Sequence, residues 1–454
     1  MPLPDTKSGA SKKIFSFWYP MAMTWLMMAA EGPVIAAFIA RMEDPKYNLA
    51  AYGVSFSLAL ILEAPVIMIM SVSTALVSGN KSFRMMWKFT QALNIMVSVA
   101  VFLLLIPGVF DLVASLLKLN PEVRDLTYRA MFFLIPWPAA IGIRRFYQGV
   151  LIRRGETQKV ALGTVCRLGS GFLSCLLVVE FTELSGAELG ALALASGVVS
   201  EALVVYLLSI RTVRELKNSD STTEEEAGLT YGKIIHLYYP LALSATVVLC
   251  IQPLVTFFTA FCLHPLESLA VLPVMNSFIF IFRCIALSYQ DVVIALLGDK
   301  FEGFSLLKNT AVKTGVFLVI VFMMMAFTPA AKFWFENVSG LSSELAAFLD
   351  TPLAIMVLVP FISLMVCTYR AAAIKVNATI LVTYGTIIEV SVLVLVMSLG
   401  SYYSWTGINA AALAISTGRL LCAAYLMYAV SRKMRALQKV LSPVAPEFSS
   451  ASKR

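Results

Sequence analysis

Apolar runs of membrane length, separated by short polar pieces, fill almost the whole chain. A spanning helix needs about 20 mostly apolar residues for about 30 Å of hydrocarbon. On that basis the pattern predicts helices at 14–41, 49–78, 85–107, 126–152, 157–180 and 186–212, then at 233–262, 266–298, 304–328, 351–376, 378–400 and 407–431. Residues 214–232 (RELKNSDSTTEEEAGLTYG) are the one clearly linker-like polar stretch inside the chain. Residues 332–349 read as an amphipathic piece in the membrane interface, and 436–454 as a disordered cytoplasmic tail. The expected domains are therefore a six-helix lobe at 1–213, a cytoplasmic linker at 214–232 and a second six-helix lobe at 233–435.

The two sets of six are copies. FWYPMAMTWLMMAAEGPVIAAFIA (17–40) returns about 220 residues later as LYYPLALSATVVLCIQPLVTFFTA (237–260), so that Tyr19-Pro20 matches Tyr239-Pro240 and Pro33 matches Pro253, while Glu31 faces Ile251. Further on, Tyr147, Arg153 and Gly163-Thr164 match Tyr369, Lys375 and Gly385-Thr386. An even number of helices per copy brings the second copy back with the same orientation. The expected fold class is an all-α membrane protein, with twelve transmembrane helices as two parallel six-helix repeats around a central cavity, the architecture of alternating access.

Composition agrees: 59% of residues are hydrophobic and 14% charged, with a mean hydropathy of +0.82, outside the range of soluble domains. The net charge of +8 is spread over loop ends and is not a basic patch with interleaved aromatics, which argues against a nucleic-acid partner. Its distribution sets topology instead: Lys12, Lys13, Lys81, Arg84, Arg153, Arg154, Arg214, Lys217, Lys308 and Arg432 lie on one side, so both termini are expected to be cytoplasmic, in a multi-pass protein of the cell inner membrane. The N-terminus, MPLPDTKSGASKK, lacks a signal-peptide core, so the first run is expected to be retained. All seven cysteines lie in apolar stretches without a CxxC and read as packing residues. His236 and His264 have no metal-ligand partners in the sequence. No Walker, HExxH or paired-aspartate motif is present, so neither ATP-driven nor hydrolytic chemistry is expected.

Charges inside apolar spans are costly, roughly 2.5 to 3.5 kcal/mol each, and face a cavity or a partner. Those embedded here are Glu31, Glu63, Arg144, Arg145, Arg167, Glu201, Arg283, Asp291, Arg370, Glu389 and Arg419. Glu63 matches Arg283 and Arg167 matches Glu389 across the repeat, with opposite sign. Glu63, Arg167, Glu201, Glu389 and Arg419 thus read as interlobe charge pairs or as a polar cavity lining. Glu31 is the first ion-coupling candidate. Pro33 removes the hydrogen bond to the Ala29 carbonyl and Gly32 loosens the turn, so a kink is expected here and at Pro253. Free carbonyls beside a carboxylate suit Na⁺ or a proton; a static bridge to a neighbouring span is the alternative. Asp291 is the second candidate, with an interface acid as its alternative. Arg144 and Arg145 lie well inside the membrane, and adjacent helical residues diverge by about 100°, so at most one points at a central cavity. There it would clamp a carboxylate or phosphate, with Arg283 as a second clamp; neutralisation of Glu31, Glu63 or Glu201 is the alternative. Aromatics mostly read as interface belts, except Tyr147 and Tyr369, matched across the repeat and close to these arginines.

The paired FWYPMAM and YYPLAL openings, the six-plus-six pattern and FYQGVLIRRGETQKVALGT after the fourth span resemble the multidrug/oligosaccharidyl-lipid/polysaccharide (MOP) exporter superfamily, in its MATE-like form. Glu31 followed by IARMEDPKYNLAAYGVSFSL is similar to the progressive-ankylosis proteins, a branch linked to export of small organic anions. The major-facilitator loop signature is absent from SGNKSFRMMWK. The resemblance implies an acid in the first helix that binds Na⁺ or H⁺. The expectation is thus a non-enzymatic secondary transporter, an antiporter exporting an amphipathic or anionic small solute. It is expected to act as a monomer among membrane lipids, with no cofactor beyond H⁺ or Na⁺ as coupling ion. The alternative is a flippase for a lipid-linked saccharide or pyrophosphate lipid; a receptor or intramembrane enzyme is more remote.

Overall fold

The computed structural model describes residues 7–218, 229–297, 302–375 and 378–441, and these are almost entirely helical. The first half contains α1 (Lys7–Ile39), α2 (Pro45–Glu63), α3 (Ile69–Leu76), α4 (Asn80–Leu104), α5 (Pro107–Leu116), α6 (Pro121–Phe133), α7 (Trp137–Arg153), α8 (Thr157–Phe181) and α9 (Gly186–Asn218). The second contains α10 (Tyr231–Leu249), α11 (Ile251–Thr259), α12 (Pro265–Leu296), α13 (Phe304–Ala326), α14 (Pro329–Lys332), a π-helical turn (Phe333–Val338), α15 (Ser343–Ala347), α16 (Asp350–Met356), α17 (Val359–Lys375), α18 (Thr379–Tyr402) and α19 (Gly407–Leu441).

Among the described residues, seven helices are long and apolar enough to cross a membrane: α4, α8, α9, α12, α13, α18 and α19. Nine spans result if the bent pairs α6–α7 and α16–α17 each count as one. The bends, 40° and 47°, follow the prolines. Pro136 and Pro138 flank the first break and Pro360 the second, each removing an N–H and crowding the carbonyl one turn back.

The expected runs at 49–78 and 233–262 are likewise divided. The first breaks at 64–68 around Pro65, the second at Cys250, where Pro253 has no N–H to give to residue 249. At Pro33, by contrast, the helix is not interrupted: α1 continues through Gly32-Pro33. A Cβ on Gly32 would stand 2.8 Å from the Ser277 Cβ, so α1 and α12 pack closely at that turn. Helix also extends past the expected edges, back to Lys7, on to Asn218 and on to Leu441. Hydropathy reads the thickness of hydrocarbon, whereas Lys- and Glu-rich stretches continue a helix into water. The expected linker and tail otherwise fall at 219–228 and 442–454, outside the described residues.

The copies in the sequence make matching contacts. Asp44 and His264 both cap a proline-led helix in the left-handed region, with φ of 47° and 51°. Gly186, opening α9, lies against Ile39 and Asn48; Gly407, opening α19, lies against their repeat equivalents Thr259 and Ser268. Gly197 rests on the Arg167 carbonyl and Gly418 on the Glu389 carbonyl. Small residues of this kind let helices pack closely where no hydrophobic drive exists between them. In the resulting bundle α12 is central, with 61% of its apolar window buried, against 22% for α4 and α13 at the periphery.

Candidate functional site

A cavity of about 540 Å³ lies where α1, α2, α11 and α12 meet α8, α17, α18 and α19. Among the described residues six charged ones line it: Glu31, Arg167, Arg283, Arg370, Glu389 and Arg419. Four cations against two acids leave a formal surplus of two positive charges. Around them the wall is apolar and aromatic, with Tyr52, Phe56 and Phe280.

Two acid-centred clusters hold most of this charge. In the first half Arg167, on α8, forms a fork with Glu31, on α1: Nε donates to Oε1 at 3.0 Å and Nη2 to Oε2 at 2.6 Å. Its Nη1 is also 3.7 Å from Oε2 of Glu201. Glu201, on α9, is almost completely buried and accepts from Arg144 Nη1, from Gln148 Nε2 at 3.0 Å and from Thr164 Oγ1 at 3.4 Å. In the second half Glu389, on α18, is within 3.4 Å of both Arg370 Nη2 and Arg419 Nε, and Arg419 Nη1 donates to Ser363 Oγ at 3.0 Å. The two centres are related by the repeat, since Arg167 and Glu389 occupy equivalent places.

Arg283 differs from the other cavity arginines. Among the described residues it has no carboxylate within 4 Å and no hydrogen-bond acceptor, and it lines the cavity. It is carried by a stripe of α12, Asn276–Phe280–Arg283–Leu287, spaced to keep one helix face on the cavity. The Asn276 Nδ2 is buried and without an acceptor.

The structure sorts the candidates of the sequence. Glu31, Arg167, Arg283, Glu389 and Arg419 come together at the cavity. Arg144 and Arg145, expected to present an anion clamp, do not line it. Arg144 is turned onto Glu201, and Arg145 Nη1 lies 3.6 Å from the Met70 sulfur. A buried carboxylate without a cation is costly enough to claim the nearest arginine. Glu63 is buried on α2 outside the cavity lining. Asp291 lies further along α12, half-buried, beyond the last cavity-lining residue Leu287. Tyr147 is buried between Trp87 and Tyr206 in a separate groove, and Tyr369 packs edge-on against Phe304 at 5.6 Å. Pro33 and Pro253 lie in the two equivalent helices beside the cavity, one turn from Ala29 and Leu249.

Arg370, an embedded charge to which sequence reasoning assigned no role, and Asn276 and Gln252, which it did not single out, also line the cavity. A signal was available for two of them. Arg370 takes the repeat position of Gln148, which serves the acid of the first half, and Asn276 lies two turns before Arg283 on the same face.

No family model matches the chain, and no curated protein matches it. Solved structures do. A multidrug-resistance MATE family transporter of the MOP superfamily, in an inward-facing conformation, superposes with a TM-score of 0.69 at 14% identity, over 93% of this chain and 98% of that one. The lipid II flippase MurJ, inward closed, gives 0.71 at 16%, over 93% and 90%. A MOP superfamily transporter from Pyrococcus furiosus Vc1, for which a binding pocket of reversed polarity suggests a different function, gives 0.64 at 15%, over 94% and 96%. The chain therefore has the fold of the MATE-like transporters and flippases of the MOP superfamily, and is a multi-pass membrane protein.

Proposed function

We propose that the chain is a secondary transporter that exports an anionic small solute by alternating access between two six-helix lobes, 1–213 and 233–435. Twelve spans are reached by adding α1, the α2–α3 pair and the α10–α11 pair to the nine above. The observation that carries the reading is Arg283, an unpaired guanidinium in a central cavity with a cation surplus. Charge buried without a partner is costly, and a planar five-donor fork suits a carboxylate or phosphate. The solute supplies the missing anion.

Coupling belongs to Glu31. It is forked by Arg167, so an incoming H⁺ or Na⁺ must displace that guanidinium, and Glu201 at 3.7 Å stands ready to receive it. Ala29, whose carbonyl Pro33 leaves without its helical donor, lines the same cavity and adds an oxygen ligand. Neutralised Glu31 and a re-paired Arg167 would define one state, the Glu31–Arg167 fork the other.

The test is flux in proteoliposomes with solutes matched in size and opposite in charge. R283A is expected to weaken uptake of the anion roughly 10- to 100-fold, the loss of charge-assisted hydrogen bonds, and to leave the cation unaffected. Equal loss for both would remove Arg283 from recognition. The cation surplus and the fold shared with MurJ also favour a second reading, a flippase whose cavity holds the pyrophosphate of a lipid-linked saccharide. That reading requires scrambling of a labelled pyrophosphate lipid, with no flux of soluble anions.

A further inference from the structure

A second concavity, about 1040 Å³, lies on the flank of the first half between α4, α7 and α9, away from the central cavity. Its chemistry is graded along its length. At one end stand four exposed cations, Arg84 and Lys88 on α4 and Arg214 and Lys217 on α9, and among the described residues no acid lines the groove. Among the described residues none of the four has a carboxylate within 4 Å; Lys217 lies over the Phe83 ring at 5.3 Å. The middle is aromatic, with Trp87 5.4 Å from Tyr147 and Tyr147 5.2 Å from Tyr206. The other end is aliphatic, with Ala140, Ile143, Val199 and Leu203. From Val199 to Arg214 the helix rises about 22 Å, enough for one leaflet of hydrocarbon, about 15 Å, plus a headgroup.

Cationic end, aromatic middle and apolar end repeat the order phosphate, glycerol, acyl chain of the surrounding lipid. The cations also lie at the ends of α4 and α9 that the Lys/Arg distribution assigns to the cytoplasmic leaflet, where anionic lipids gather and basic pockets between helices hold their headgroups. We infer that this groove binds one anionic phospholipid, its phosphate held by Arg84, Lys88, Arg214 and Lys217 and an acyl chain laid along Ile143 and Leu203. Tyr147, which the central cavity does not use, is the floor of that site. The inference rests on the membrane reading and not on the transported solute.

The full chain in phosphatidylcholine nanodiscs is titrated with acyl-brominated phosphatidylglycerol, and quenching of tryptophan fluorescence is read, with W87F identifying the Trp87 fraction. Half-quenching of Trp87 is expected at a mole fraction far below that needed with brominated phosphatidylcholine. R84Q/K88Q/R214Q/K217Q should raise that mole fraction roughly 600-fold, and R214Q alone about fivefold. R214Q carries the test if the fourfold variant does not fold. K308Q/K313Q, cations on the same expected face of the second half, should change nothing. Equal quenching by both lipids, an unaffected R214Q, or an effect of K308Q/K313Q as large as that of the groove variants would each overturn the site. So would relief by glycerol 3-phosphate as effective as by the lipid, which would mark a soluble anion. Quenching that emerges only in E224Q/E225Q/E226Q would make the chain's own acidic run the occupant.

Discussion

A guanidinium inside hydrocarbon needs a carboxylate or a wet cavity, and apart from Arg145, which lies on the Met70 sulfur, the embedded arginines of this protein divide along that line. Arg144 is buried against Glu201, so R144A takes the nearest cation from a carboxylate that is 2% exposed and leaves it only Arg167 at 3.7 Å. Loss of about 3 to 5 kcal/mol is expected in unfolding titrations in detergent. R144L/E201L, which removes both charges, should recover most of it; no recovery would mean that Arg144 serves something other than Glu201. Glu31 belongs to both classes, forked by Arg167 and facing the cavity. E31Q is expected to abolish ion-driven flux while the protein still folds, because a neutral amide keeps one hydrogen bond to Arg167 but cannot exchange a proton. Undiminished ion-dependent flux in E31Q would take Glu31 out of the coupling. The sequence shows that these charges are embedded and repeat-related. Which pair with which it does not show: Glu31 and Arg167 are 136 positions apart, and the roughly 100° between Arg144 and Arg145 leaves two orientations that only the position of Glu201 decides.

Elements were legible where apolar length alone defines them. The seven unbroken spanning helices fall at expected runs, since hydrocarbon thickness fixes both. The α5 helix was not legible: ten residues led by Pro107 do not span, and their pattern resembles a loop until they pack. A proline alone does not fix a break: the helix is interrupted at Cys250, before Pro253, and runs on through Pro33. Turns add their own fastening. In the α7–α8 turn Glu156 accepts from Lys159 Nζ at 2.8 Å and from Thr212 Oγ1 of α9 at 2.7 Å. The Lys159 hydrogen bond, against opposing burial and with help from Thr212, holds this carboxyl below its ordinary value of 4.5. Its contribution is therefore full above that value and lost as pH falls through the depressed one. The pair is partly exposed, so about 0.5 kcal/mol is expected. E156Q should unfold that much more easily at pH 7, and the difference from wild type should shrink as pH falls below 4.5; a difference that does not shrink would mean that the charge is not the cause.

At the scale of the molecule, alternating access requires contacts between the halves that form in one state and part in another. Those at the rim formed by the α1–α2 and α11–α12 turns are well placed for that. Lys46 Nζ, at the start of α2, is 2.7 Å from Glu267 Oε1, at the start of α12. Arg41 donates to the carbonyls of Asn337 and Val338 at 2.5 and 2.8 Å, and Lys118 lies 4.5 Å above the Phe261 ring. Each joins the first half to the second across the same rim. They are polar, partly exposed and individually weak, which is what a closure that must reopen needs: a pair of this kind contributes about 0.5 to 1 kcal/mol. The hydrogen bond to Glu267 raises Lys46 above its ordinary 10.5, so the pair persists through neutral pH; it is lost as pH rises through that raised value, and at the acid end when Glu267 is protonated. K46Q is then expected to shift the population toward the parted rim about two- to fivefold. Spin labels at E43C and H264C, in a background without the native cysteines, would read this as growth of the longer-distance population. K46E alone should shift it further, through repulsion by Glu267, and K46E/E267K should restore the original distribution. A distribution indifferent to all three variants would mean that this rim does not move, and that access to the central cavity opens elsewhere.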